Sequence, residues 1–240
     1  MTAPTAPDAA DAGRRAELAA ALDRVRARIA AAGGADLLPV TKFHPAGDLA
    51  LLADLGVRAV GENREQEARA KHDSLGGVPA LHMIGQVQTK KANAVARWAA
   101  AVHTVDSARL VAALDRGVAL ALERGDRAPA DDRLPVLLQW SADGDAARGG
   151  AVAGDLDALA DAVAATRHLS LRGLMCVPPR GVEPGPVFAR GRRLVDAVAD
   201  RIDGDPVYSA GMSGDLEAAV AEGSTLVRVG TDIMGPRPVA

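Results

Sequence analysis

Hydrophobic and polar positions follow one another along this chain as short apolar runs separated by amphipathic stretches. The apolar runs are Leu37–Thr41, Ala59–Asn63, Ala80–Gly85, Ala101–Asp106, Leu134–Ser141, Leu169–Val177, Pro206–Ser213 and Thr225–Gly230. Turn-forming residues bound them, and they read as strands. Helical patterns fill the gaps at Gly47–Leu55, Arg64–His72, Gln88–Ala100, Ser107–Glu123, Asp155–Thr166, Val187–Ile202 and Asp215–Glu222. A further helical pattern, Arg14–Ala32, precedes the first strand and stops at Gly33-Gly34. Several strands are almost wholly apolar, as expected where helices cover a parallel sheet. The alternation predicts an α/β protein, and eight strands predict a single (β/α)8 barrel of the TIM type. Only Asp232–Ala240 follows the last strand. That is short for an ordinary helix, so the extra N-terminal helix is expected to cover the position left bare. A doubly wound sheet is the alternative, lowered by the lack of a G-x-G-x-x-G turn after the first strand. Residues 1–12 read as a disordered tail, 13–240 as one domain, and Pro178–Pro186 as a long loop over one face.

Composition narrows the function classes. Apolar residues make up 48% of the 240, but aromatics only 2%, so the core is built from Ala, Val and Leu. A net charge of −3 with no basic block excludes a nucleic-acid footprint, and base-stacking aromatics are nearly absent. The single cysteine, Cys176, rules out an internal disulfide framework and suits a reducing cytoplasm. The N-terminus lacks the basic and apolar regions of a secretory signal. No segment is apolar enough to span a membrane.

Chemistry in a barrel sits at the C-terminal ends of its strands. Here those ends carry Lys42, Asn63, Gly85-Gln86, Asp106, Ser141, Val177-Pro178, Ser213 and Gly230-Thr231. With a two-residue period Lys42 shares a face with Leu38 and Val40, at the rim of an interior where an amine can lose its proton and attack a carbonyl. Gly211-Met212-Ser213-Gly214-Asp215 after strand seven and Gly230-Thr231-Asp232 after strand eight combine glycines, hydroxyls and a following helix. These are the features of phosphate-binding loops, which barrels place after strands seven and eight. Ser213 or Asp215 acting only as a helix cap is the plainer reading of either loop. In the last strand, β-branched Thr225, Val227 and Val229 share the face suited to covering helices, which turns Arg228 inward. A buried guanidinium requires an acceptor, either a carboxylate or a ligand atom. Asn63 shares the inward face with Gly61. Lysine, two anion loops and an inward cation together fit a ligand bearing an aldehyde, a phosphate and an acceptor heteroatom. Pyridoxal phosphate is such a molecule.

Seven short segments in order carry a family resemblance: Leu38-Pro39-Val40-Thr41-Lys42, Gly61-Glu62-Asn63, His82-Met83-Ile84-Gly85-Gln86-Val87-Gln88, Val102-His103-Thr104-Val105-Asp106, Arg172-Gly173-Leu174-Met175, Gly211-Met212-Ser213 and Val227-Arg228-Val229-Gly230-Thr231. From about Leu37 onward the chain resembles the pyridoxal phosphate homeostasis family, whose barrels are similar to the N-terminal domain of alanine racemase (type III fold of pyridoxal proteins). The resemblance implies that Lys42 holds the cofactor as an internal aldimine. It further implies that Gly211, Met212, Ser213, Gly230 and Thr231 take the phosphate, that Asn63 lines the site and that Arg228 faces the pyridine nitrogen. It also implies a monomeric cytoplasmic protein that holds, buffers or delivers the cofactor to pyridoxal-dependent apoenzymes, with no reaction of its own. Leu81, Trp140, Ala210 and Gly214 depart from the family's usual residues without removing any of these positions.

Two other readings are weighed. Racemases of similar fold need a second, β-rich domain carrying a catalytic tyrosine, whereas the only tyrosine here is Tyr208, expected to pack within its strand. A cofactor-free lysine aldolase would use Lys42 with Asp106 or Glu62 as its acid or base. Lys90 and Lys91, at the start of a helix, read as a solvated face.

Overall fold

The computed structural model describes residues 9–145 and 148–237. Its eight strands are β1 (Asp36–Pro39), β2 (Ala59–Glu62), β3 (Ala80–Met83), β4 (Ala101–Val105), β5 (Leu134–Trp140), β6 (Leu169–Cys176), β7 (Val207–Ser209) and β8 (Leu226–Val229). Helix α1 (Ala9–Ala32) precedes them, and α2 (Ala46–Asp54), α3 (Glu65–Leu75), α4 (Ala92–Trp98), α5 (Ala108–Glu123), α6 (Leu156–Ala164), α7 (Pro184–Ala197) and α8 (Leu216–Ala221) lie between successive strands. One further turn of helix, α9 (Thr231–Met234), follows β8. All pairings are parallel in the order β1-β8-β7-β6-β5-β4-β3-β2. The ring is completed by a bridge between Val40 and Gly61, where the Thr41 amide donates to the Gly61 carbonyl at 3.1 Å. A Cβ on Gly61 would lie 2.8 Å from Ile84 Cδ1, so a larger residue at the seam would require the Ile84 side chain to shift. This is the expected (β/α)8 barrel.

Two layers of apolar side chains follow from strand alternation. Val60, Leu81, Met83, Val102, Leu138, Leu174, Tyr208, Val227 and Val229 face the helices and join the main core, whereas buried Leu38, Val40, Leu137 and Met175 lie outside that cluster, in the barrel interior. Strand β6 switches faces midway. Its pairing with β5 passes from Val136–Leu171 to Leu137–Gly173 and skips Arg172, a bulge that puts Leu169, Leu171, Leu174 and Cys176 on the helix side. Gly173 has φ +144°, and a Cβ there would stand 1.9 Å from the Val207 carbonyl oxygen. The Arg172-Gly173 pair is therefore the device that turns Met175 inward.

Helix α1 fills the place left by the single turn of α9, as expected. Leu18, Leu22, Val25 and Ile29 form one buried stripe along it. Near its start, Arg14 donates to both oxygens of Asp48 in α2 (3.2 and 2.8 Å) and to the Met234 carbonyl in α9 (2.9 Å). Of the tail expected over 1–12, residues 1–8 lie outside the described residues, while 9–12 are helical. An Ala-rich start with Asp11 in the first turn favours that extension. The loop expected over Pro178–Pro186 is shorter, because Pro184 opens α7 at a position where a missing N–H is tolerated. The strands also stop earlier than the apolar runs: Lys42, Asn63, Ser213 and Gly230 lie beyond the ladder, where the chain turns toward the helices.

Leu22→Ala is expected to cost about 2–5 kcal/mol by urea unfolding. A loss below about 0.5 kcal/mol, typical of surface positions, would mean that α1 is not integral to the barrel.

Candidate cofactor site

A cavity of about 350 Å³ opens at the C-terminal mouth of the barrel and is lined by Lys42, Asn63, Met212, Ser213, Arg228, Gly230 and Thr231, with Val40, Ile84 and Met175 as apolar floor. Of the residues that the resemblance assigns to the cofactor, only Gly211 stands outside the lining. Its φ is +91°, a Cβ would lie 2.6 Å from that of Ala219, and its carbonyl accepts from the Arg228 amide at 2.9 Å. Gly211 thus shapes the loop by its backbone. The Met212 amide is already held by Asp215 Oδ1 at 2.6 Å, which makes Asp215 a brace of this turn.

Lys42 is half-buried and makes no hydrogen bond or ion pair among the described residues. Burial is the main cause that lowers its pKa, the positive charge of Arg237 lowers it further, and Glu62 opposes both. The neighbouring Lys71 is its opposite in every respect. Its ammonium is buried and spends its protons on the Thr41 carbonyl (3.0 Å), Glu62 Oε1 (2.7 Å) and Glu67 Oε1 (2.7 Å). Thr41 Oγ1 also donates to Glu62 Oε1 at 2.6 Å. The structural cation at this strand end is Lys71, which leaves Lys42 free to react. Phe43, immediately after it, has φ 71°, a left-handed conformation that costs a side-chain-bearing residue about 1–3 kcal/mol. It is held by a 2.6 Å bond from its amide to Glu67 Oε1 and by Arg64 and Arg237 over its ring, at 5.2 and 4.4 Å.

Arg228 is 4% exposed, and no carboxylate pairs with it among the described residues. Its Nη1 donates to Ser209 Oγ (2.7 Å) and its Nη2 to the Cys176 carbonyl (3.0 Å). Of the two acceptors considered from sequence, a protein carboxylate is absent, and five donors are only partly used. Asn63 enters the cavity because Gly85 lacks a side chain: a Cβ there would stand 2.1 Å from the Asn63 carbonyl oxygen.

Some contributors were invisible in the sequence. Arg28, in α1, donates to the Ser213 carbonyl (3.0 Å) on the loop after β7, to Glu217 (2.7 Å) in α8 and to Asp232 (2.6 Å) in α9, tying the segments after β7 and β8 together. Its partners lie 185 to 204 residues away, beyond any local signal. Arg237 and Glu67 likewise act only through the fold. Tyr208 is fully buried on the helix side, with its hydroxyl donating to the Phe188 carbonyl at 3.0 Å and lying 3.3 Å from Cys176 Sγ. Burial raises its pKa. Glu62 is held by Lys71 outside the cavity, Asp106 lies 3.4 Å from the Gly150 amide, and Lys91 pairs with Glu65 at 3.3 Å. Among the described residues no carboxylate, imidazole and thiol cluster could hold a metal, and no helix is long and apolar enough to cross a membrane.

A parallel barrel with an unpaired lysine after β1 and glycine–hydroxyl loops after β7 and β8 at one mouth has the arrangement expected of a lysine-anchored cofactor protein. The family described as alanine racemase, N-terminal domain, matches residues 14–238, and the chain belongs to it. A pyridoxal phosphate homeostasis protein of Corynebacterium glutamicum is 55% identical over 208 residues, 87% of this chain and 93% of its own. One from Escherichia coli K12 is 37% identical over 209 residues, covering 84% and 85%. Among solved structures, PipY of Synechococcus elongatus with PLP bound superposes with a TM-score of 0.78 at 31% identity, covering 91% of this chain and all of that one. Alanine racemase of C. glutamicum shares the fold, with a TM-score of 0.68 at 19% identity over 94% of this chain and 62% of its own.

Arg237→Ala is expected to raise the pH at which Lys42 becomes half-reactive toward an amine-directed reagent, read by mass spectrometry. Removing a nearby cation stabilises the ammonium. An unchanged or lowered midpoint would refute the coupling.

Proposed function

We propose that this chain is a carrier of pyridoxal 5′-phosphate, holding the cofactor on Lys42 and releasing it without catalysing a reaction of its own. The observation that carries this reading is the convergence, in one cavity, of an unpaired amine, a buried guanidinium without a carboxylate, and two cross-linked glycine–hydroxyl loops. The group supplies an aldehyde for the lysine and a ring able to withdraw electrons from a bound amine.

The protein's own contributions follow from its geometry. Ser213, Gly230 and Thr231 offer hydroxyl and backbone donors for the phosphate, Gly211 and Met212 shape that turn, and Arg28 keeps both loops at a fixed separation. Asn63 supports the ring edge. Arg228 would face the pyridine nitrogen and set a permanent cation beside it. A cation there disfavours protonation of that nitrogen and weakens the ring as an electron sink. The cavity lining supplies no carboxylate, imidazole, phenol or thiol. Tyr208 is buried on the opposite face of its strand, so among the described residues of the lining no such group stands ready to move an α-proton. These features favour a holder over a racemase. On this reading the partners are pyridoxal-dependent apoenzymes of the cytoplasm, served by a monomer.

Lys42→Ala should abolish the visible absorption band of lysine-bound pyridoxal and its retention through gel filtration. A colourless wild-type protein that takes up no added cofactor would sink the proposal. Exchange of the α-proton of alanine at enzymatic rates would overturn its non-catalytic part. Arg228→Glu should shift the band by favouring a protonated ring, so an unchanged spectrum would count against the assigned contact. Arg28→Ala should weaken cofactor binding about tenfold, or about 1.4 kcal/mol, in equilibrium dialysis. Undiminished binding would show that the loops hold their separation without it.

A further inference from the structure

A chain of polar side chains crosses the barrel interior below this cavity. Arg228 Nη1 donates to Ser209 Oγ at 2.7 Å, Ser209 Oγ lies 3.3 Å from His103 Nδ1, and His103 Nε2 lies 3.1 Å from His82 Nδ1. A guanidinium cannot accept, so Ser209 accepts from Arg228. When Ser209 gives its own proton to His103 Nδ1, the whole chain runs away from Arg228. His103, neutral because it is fully buried, then carries its proton on Nε2 and donates to His82 Nδ1. His82, whose pKa burial lowers to about 4, is left with its proton on Nε2.

The chain ends at a second cavity, of about 300 Å³, at the N-terminal mouth of the barrel. His82, Arg172 and Asp36 line it together with apolar Leu137, Val207 and Leu226. Arg172 stands in the β6 bulge, makes no hydrogen bond or ion pair among the described residues, and has a buried, unpartnered Nε. Asp36, at the start of β1, pairs with no cation among the described residues, Arg172 included. A buried donor left unsatisfied is destabilising. This mouth therefore holds an unused cation, an unused anion and an outward imidazole N–H around apolar walls.

We propose that the N-terminal mouth is a second binding site, for a small α-amino acid with an apolar side chain. The carboxylate accepts from Arg172 and from His82 Nε2–H, the ammonium faces Asp36, and the side chain rests on Leu137 and Val207. A carboxylate without an ammonium meets the uncompensated charge of Asp36, and an amine without a carboxylate leaves Arg172 unsatisfied. Since His82 heads the chain that ends on Arg228, occupancy also alters the hydrogen bonding of the cation at the other mouth. That last consequence rests on the cofactor reading, whereas the site itself does not.

The test uses the full chain prepared without pyridoxal phosphate, so that no aldehyde captures the ligand. Imidazole nitrogens are followed by NMR while L-valine is added. In the free protein both His82 and His103 should be neutral, with the proton on Nε2. Valine should shift His82 Nε2 saturably, and isobutyrate and isobutylamine should each bind about tenfold more weakly. Arg172→Gln should weaken valine about tenfold by the same reasoning, and Asp36→Asn, an exposed position whose change leaves the fold intact, should bring valine down to the affinity of isobutyrate. Lys42→Ala should leave valine binding unchanged, which separates this site from the cofactor reading. Absence of a His82 shift at millimolar valine, an unaffected Asp36→Asn variant, or isobutyrate binding as tightly as valine would each overturn the proposal.

Discussion

A guanidinium buried inside the barrel without a carboxylate beside it constrains everything around Arg228. An isolated buried charge is too costly to leave unsolvated. The interior therefore provides the Ser209 hydroxyl and the Cys176 carbonyl, and the Gly211 carbonyl holds the strand itself through the Arg228 amide. Ser209 in turn needs an acceptor for its proton, which brings His103 and then His82 into what would otherwise be an apolar core. The polar layer is the consequence of placing a permanent cation under the cavity, and it is compatible with a dense barrel because each member satisfies the next.

Around the rim the constraint is geometric. The barrel closes through the Val40–Gly61 bridge, and the chain then turns sharply at Phe43 to carry Lys42 over the opening. That turn is held from outside by Glu67, Arg64 and Arg237, and the strand behind it by the buried Lys71–Glu62 pair. On the far side, α1 substitutes for a helix that α9 is too short to provide. Its arginines do more than cover apolar surface: Arg14 docks α2 to α9, and Arg28 binds the loops after β7 and β8 into one unit. Stability of the barrel and spacing of the anion loops thus depend on the same helix.

Much of this was legible from periodicity and punctuation. The strand runs, the covering helices, the inward direction of Arg228 and the role of α1 all follow from two-residue and 3.6-residue patterns that burial enforces. Lys42, Asn63, Ser213, Gly230 and Thr231 come together at one mouth because each follows an apolar run, and strand ends converge in a barrel. Gly211 stands just outside that lining, where its positive φ shapes the turn. The helical state of residues 9–12 was missed because Ala, Asp and Gly next to a proline-bearing stretch carry no periodic apolar face.

The order of residues by itself determined the α/β alternation, the faces of the regularly alternating strands and the set of strand-end groups, because these depend on local spacing and hydrophobicity alone, whereas the bulge that switches the faces of β6 belongs to the fold. Tertiary structure decided which lysine is spent and which is free. Lys42 and Lys71 are the same residue type, and only the positions of Glu62, Glu67 and the Thr41 carbonyl, brought together by closure of the barrel, engage one and leave the other unpaired among the described residues. It also brought Arg228, Ser209, His103 and His82 into one polar chain, since they come from strands far apart in sequence.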